Sequence, residues 1–139
     1  MTIKEVEQQI IDEFSVFTDW LDKYEYLIEL GKSLPLIDEK RKTDENLIRG
    51  CQSKVWLAAD YVDGKIYFTA DSDAIITKGI ISLLIRVFSG RTPKEILDAD
   101  LNFIKEIGLQ DNLSPTRSNG LVSMIKQIKL YALAFSANK

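Results

Sequence analysis

Val6, Ile10, Phe14 and Phe17 recur at helical intervals, and Thr2 and Glu5 ahead of them have the spacing of a capping box, so the pattern predicts a first helix. Trp20, Leu21, Tyr24, Leu27 and Ile28 continue a helical period up to Gly31, a stop signal, with Pro35 close behind. Aromatic stripes of this kind read as core before they read as a ligand site. From Ile37 to Asn46 the chain is dominated by Asp, Glu, Lys and Arg without an apolar period, which predicts a solvated loop.

Three short strands are expected next: one at Leu47 and Ile48, one from Lys54 to Tyr61, and one from Lys65 to Ala70. Asp63-Gly64 is a hairpin turn signal, and Ile66, Phe68 and Ala70 alternate as in a half-buried strand. The segment Gly50-Cys51-Gln52-Ser53 would then be the tip of a second hairpin. A buried, mostly apolar helix should begin near Asp73 and run to Gly90; Thr92-Pro93-Lys94-Glu95 combines a cap, a proline at the first helical position and a glutamate at the third, starting another. After Gly108, "LSPTRSNGL" leads into a last helix with Leu121, Met124, Ile125, Ile128, Tyr131 and Phe135 on one face. Two helices, a small antiparallel sheet of about three strands, then further helices define an α+β class, with no repeat or linker dividing the chain.

Composition narrows the function classes. The 139 residues, 45% of them apolar, suit one domain, and the net charge of −3 favours neither nucleic acid nor an anionic membrane. The polar start and the short apolar run Ile80–Ile85, broken by Ser82, suggest neither a signal peptide nor a membrane span, so a cytoplasmic location is expected. With no histidine there is no Ser/His/Asp triad or Cys/His dyad, and one cysteine supports neither a four-cysteine zinc site nor a cluster scaffold. No calcium loop, P-loop or GxGxxG occurs, so metal and cofactor sites are expected to be absent.

Chemistry therefore falls to Cys51. A free cysteine often only fills space in a core. This one follows a glycine between candidate strands, where loops carry function, and Arg49 and Lys54 flank it as cations that would favour a thiolate. An inert core thiol and a reactive one both remain open on these residues alone.

"GCQSKVW" resembles the signature of the SufE family of sulfur acceptors. "KYEYLIELG" with "LP" before it, and "DSDAIITKGI", "TPKEIL" and "LSPTRSNGL" after it, follow the family's order across nearly the whole chain. The resemblance implies one sulfur-acceptor domain over residues 1–139, with an α+β fold related to the IscU-type scaffolds in fold only. It implies a SufS-like cysteine desulfurase as partner, whose pyridoxal phosphate chemistry draws sulfur from L-cysteine. Cys51 would take the sulfur as a transient persulfide, stimulate the desulfurase and pass the sulfur to a SufB-like scaffold for iron–sulfur cluster assembly. The chain would be an accessory carrier rather than a free-standing enzyme, binding no cofactor itself. A related role feeding tRNA modification, a thiol peroxidase and a binding module with an incidental cysteine are the alternatives.

Other positions carry over with the resemblance. Gly50, Gln52 and Ser53 match the acceptor loop. Asp71, Ser72 and Asp73 match a DSD segment that would otherwise read as helix capping. Arg117 matches the arginine of the SPxR segment, and its guanidinium is expected to fix a carboxylate either inside the protein, with Asp71 and Asp73 as candidates, or on the partner, so that all three would support the working surface or the interface. Asn119 and Gly120 would shape the helix entry, and Trp56 would lie in the core or wall a resting pocket for Cys51.

Overall fold

The Thr2 hydroxyl accepts the Glu5 amide at 3.1 Å and Glu5 Oε1 accepts the Thr2 amide at 2.9 Å. This capping box starts helix α1 (Ile3–Ser15) in the computed structural model, which describes residues 1–137. Asp19 caps α2 (Trp20–Gly31) by accepting the Asp22 amide at 2.9 Å. The charged segment that follows forms two short 3-10 turns, Glu39–Arg41 and Asp44–Asn46, without buried residues.

Strands β1 (Val55–Val62) and β2 (Lys65–Ser72) form an antiparallel hairpin with Val55 opposite Ser72 and Val62 opposite Lys65. Asp63 and Gly64 turn it with φ of 51° and 82°, the left-handed conformations this turn demands. The sheet has two strands, one fewer than the apolar pattern suggests. Leu47 makes only a single antiparallel bridge to Trp56, because two residues between charged turns and the Gly50 reversal are too few for a ladder. On the far side of β2, Leu36 bridges Ala70 in parallel sense.

Helix α3 (Ile75–Phe88) is the centre of the core. Ile80, Ile81, Leu83, Leu84, Val87 and Phe88 are each 1% exposed or less, because α3 packs against α1, α2, β2 and the last helix together. It crosses α2 at backbone contact: a Cβ on Gly79 would lie 2.2 Å from the Leu27 carbonyl oxygen, so no side chain is tolerated there. Arg86 at the end of α3 clamps Glu13 of α1, and the same carboxylate accepts the Tyr26 hydroxyl of α2, tying three helices.

Thr92 and Glu95 form the second predicted capping box at the start of α4 (Pro93–Asp98). Two one-turn helices, α5 (Asn102–Glu106) and α6 (Leu109–Asn112), lead to α7 (Pro115–Ser136), capped by Ser114. Phe103, Ile104, Leu109 and Leu113 bury this connection in the core. Among the described residues no helix is long and apolar enough to cross a membrane. The architecture is α+β, as the sequence predicts.

Candidate functional site

Six residues, Arg49–Lys54, close a loop between the Leu47 bridge and β1. The Ile48 amide donates to Val55 O at 2.8 Å at its base. Its C-terminal end is held by Asp73, whose Oδ1 accepts the Lys54 amide at 3.0 Å and whose own amide donates to Lys54 O at 3.2 Å. Gly50 takes φ of 91°, which disfavours any other residue, and a Cβ there would sit 2.4 Å from Ser123 Oγ, so the Ser123 side chain would have to move as well.

This turn directs Cys51 against α7. The half-buried thiol donates to the Gly120 carbonyl oxygen at an Sγ–O distance of 3.6 Å, and a Cβ on Gly120 would come within 3.4 Å of Sγ. Gly120 therefore does more than shape the helix entry: its bare backbone is the surface on which the sulfur rests. Beside the thiol lies a cavity of about 330 Å³. Cys51, Gln52 and Ser53 form one wall, Thr77 and Ile80 of α3 the floor, and Ser114, Thr116, Arg117, Gly120 and Met124 of α7 the other side.

Burial pushes the Cys51 thiol above its ordinary pKa. Arg49 and Lys54 are exposed and do not offset that burial, contrary to the expectation from their place in the sequence. The resting thiol is thus protonated and sheltered, its proton held toward the Gly120 carbonyl oxygen.

The structure brings Cys51, Gln52, Ser53 and Arg117 together and sets the acidic pair apart. Asp71 lies outside the cavity: its Oδ2 is 2.6 Å from Lys42 Nζ, its Oδ1 is 3.4 Å from Lys78 Nζ, and it accepts the Ser72 amide at 2.8 Å. Burial opposes its ionisation, but the Lys42 hydrogen bond, the Ser72 amide and the Lys78 charge hold its pKa below the ordinary carboxylate value. Asp73 holds the loop rather than capping α3, where Ser72 Oγ accepts the Ala74 amide at 3.2 Å.

Of the two expected roles for Arg117, the pairing with these aspartates within the chain does not form. Both carboxylates are engaged elsewhere, and among the described residues none lies within ion-pair distance of Arg117. Its exposed guanidinium reaches only the Tyr24 hydroxyl, at 3.5 Å. Trp56 does not wall the cavity; it is half-buried under Lys42, whose Nζ lies 5.5 Å from the ring centroid. Thr77, Ile80, Ser114, Thr116 and Met124 belong to the site without having been singled out in the sequence. Thr77, a polar residue next to Ile76 and on the turn before Ile80 and Ile81, was the available signal.

A family model described as "SufE: Fe-S metabolism associated domain" matches residues 8–132. The chain belongs to the SufE family. An uncharacterised SufE-like protein of Rhizobium meliloti is 44% identical over 126 residues, covering 87% of this chain and 90% of the relative. A SufE-like protein of Synechocystis is 39% identical over 127 residues, covering 91% of this chain and 80% of the relative. The solution structure of a hypothetical protein from Thermus thermophilus superposes with a TM-score of 0.76 over 93% of this chain and 94% of that one, at 20% identity, a likeness of fold. SufE membership carries a general role in sulfur transfer, in a family whose members partner cysteine desulfurases.

Proposed function

We propose that Cys51 accepts sulfur from the persulfide of a pyridoxal-phosphate-dependent, SufS-like cysteine desulfurase, relieves that enzyme of its product and so stimulates it. The sulfur then passes to a SufB-like scaffold for iron–sulfur cluster assembly. The observation that carries this reading is a solitary thiol at the edge of a cavity, resting on the bare Gly120 backbone, in a chain without a second cysteine or a histidine. In the transfer, the Cys51 thiolate attacks the outer sulfur of the donor's persulfide. A new S–S bond forms, the donor's S–S bond breaks, and the donor cysteine leaves as thiolate, so the step is redox-neutral and needs no metal. The cavity beside Sγ offers room for the added sulfur. A second cysteine nearby would discharge the persulfide as a disulfide, and the chain has none.

Gln52 and Ser53 shape the loop that presents the sulfur, Asp73 anchors its end, and exposed Arg117 at the cavity mouth is placed to meet the desulfurase. A peroxidase role is disfavoured because the chain has neither a resolving cysteine nor a histidine to activate the thiol. The test is to mix the protein with purified desulfurase and L-cysteine and read its intact mass. Gain of one sulfur atom, lost in Cys51→Ser while that variant stays folded, is expected; sulfur on the variant, or undiminished desulfurase stimulation by it, would overturn the reading.

A further inference from the structure

The cavity beside Cys51 is larger than its cargo. At about 330 Å³ it lies at the low end of small-molecule sites, roughly 300 to 1,000 Å³, whereas one added sulfur atom needs only a corner of it. Its lining is also more polar than a lone sulfur would use. Thr77 is 7% exposed and lies on the floor, and among the described residues its hydroxyl has no hydrogen-bond partner. Ser53, Ser114 and Thr116 bring further hydroxyls to the walls. Arg117 is the one charged residue of this lining, which contains no carboxylate to neutralise it.

We propose that the cavity binds a small carboxylate-bearing thiol, about the size of a thiol amino acid, as a recipient of the sulfur that Cys51 carries. The lining chooses this occupant. A guanidinium bonded only to the Tyr24 hydroxyl, set among hydroxyl donors, fits a carboxylate. Ile80 and Met124 give a short methylene chain its apolar contact, and the buried Thr77 hydroxyl gains the polar partner it otherwise lacks. The thiol is required by the chemistry of the neighbouring sulfur, because a thiolate discharges a persulfide without metal or oxidant.

In the step, the ligand's thiolate attacks the outer sulfur of the Cys51 persulfide. The bond between the two sulfurs breaks, a bond from the outer sulfur to the ligand forms, and Cys51 leaves as a thiolate that takes up the proton given up by the ligand's thiol. The ligand departs as a small persulfide, with no net oxidation or reduction. This rests on Cys51 carrying a persulfide, as proposed above, but not on which donor loads it.

The first measurement needs no persulfide. Iodoacetate carries a carboxylate where iodoacetamide carries an amide, so their relative rates on Cys51, referred to the same ratio on the urea-unfolded chain, report a carboxylate seat beside the thiol. The folded chain should favour iodoacetate by about tenfold over that reference, with a saturating rate; Arg117→Gln should abolish the preference and Arg117→Lys keep part of it. The second measurement loads Cys51 with inorganic polysulfide and follows loss of one sulfur by intact mass on adding 3-mercaptopropionate, cysteamine or sulfite. Unloading by 3-mercaptopropionate alone should saturate, and Arg117→Gln should raise its half-saturating concentration about tenfold while leaving the limiting rate. Thr77→Val should weaken it too, and Thr77→Ser should not. The proposal is overturned by an alkylation ratio equal to that of the unfolded chain, by a chain that takes no sulfur from polysulfide, by unloading linear in all three reagents, by sulfite saturating equally, or by a mixed disulfide on Cys51, which marks attack on the inner sulfur. If both measurements succeed while desulfurase-dependent loading fails, the donor assignment falls and the recipient site stands.

Discussion

Replacing Gly50 by alanine perturbs the Cys51 loop in two separable ways. The φ of 91° puts a Cβ in conflict with the local backbone, a cost of about 1 to 2 kcal/mol for an L residue in left-handed conformation. The same Cβ would also stand 2.4 Å from Ser123 Oγ, raising the total to about 1 to 3 kcal/mol of strain. A domain stable by roughly 5 to 15 kcal/mol survives that, so the strain should be relieved by lifting the loop off α7 rather than by unfolding. Strain of this size shifts the closed-to-open balance roughly 5- to 150-fold. Alkylation of Cys51 by iodoacetamide, measured under conditions where opening is fast, should accelerate by that factor, and urea denaturation should show a matching loss of about 1 to 3 kcal/mol, because the closed native state carries the strain. In a Ser123→Gly background the steric part vanishes and only the backbone part, roughly 5- to 30-fold, should remain. If alkylation in Gly50→Ala is as slow as in the parent, or if the parent thiol already reacts like that of an unfolded peptide, the loop is not the sheltering element and the reasoning fails.

Asp71→Ala strips Lys42 and Lys78 of their shared carboxylate; a fully buried pair broken this way costs about 3 to 5 kcal/mol, and partial exposure should reduce this to roughly 2 in urea denaturation at neutral pH. Because the folded-state pKa of Asp71 is depressed, its contribution is present above the ordinary carboxylate pKa and lost as pH falls through the folded value, so parent and variant should converge in acid. Arg117→Ala removes an exposed side chain bonded only to Tyr24, and should cost about 0 to 1 kcal/mol while slowing desulfurase-dependent sulfur loading; a larger stability loss in urea refutes its assignment to the surface. The raised Cys51 pKa favours the neutral thiol in the fold, so its contribution is intact below the unfolded thiol pKa and lost as pH rises through the folded value. The alkylation profile should therefore lie at higher pH in the folded protein than in urea, and Cys51→Ser should lessen the alkaline loss of stability; coincident profiles would count against burial as the cause.

Both capping boxes, the Asp63-Gly64 turn and the long helices were legible in the sequence, since each rests on side chains acting within a few residues of their own backbone. Helices α5 and α6 were not, because one turn holds too little period to read and owes its form to burying Phe103, Ile104 and Leu109. Cys51 stood out through its solitude and the SufE-like run around it, but its surroundings did not. Thr77 and Gly120 reach the thiol from α3 and α7, far away along the chain, by packing that no local pattern encodes. Arg117 misled for the same reason: the carboxylates chosen for it were nearer in the motif order than in space, where Lys42 and Lys78 hold Asp71 and the Lys54 amide holds Asp73.

The two anchors of the Cys51 loop set a leash length. Ile48 is fixed to Val55 and Lys54 to Asp73, and Cys51 lies three residues from each anchor. Three fully extended residues span roughly 10 Å, so with both ends tied the Cys51 backbone can swing no farther than that from either post, and its sulfur only one short side chain more. A donor whose own sulfur is recessed deeper than this radius must admit the loop as a plug. Any longer journey of the cargo has to be made by diffusion of the entire molecule, with the loop acting only over the last step of delivery.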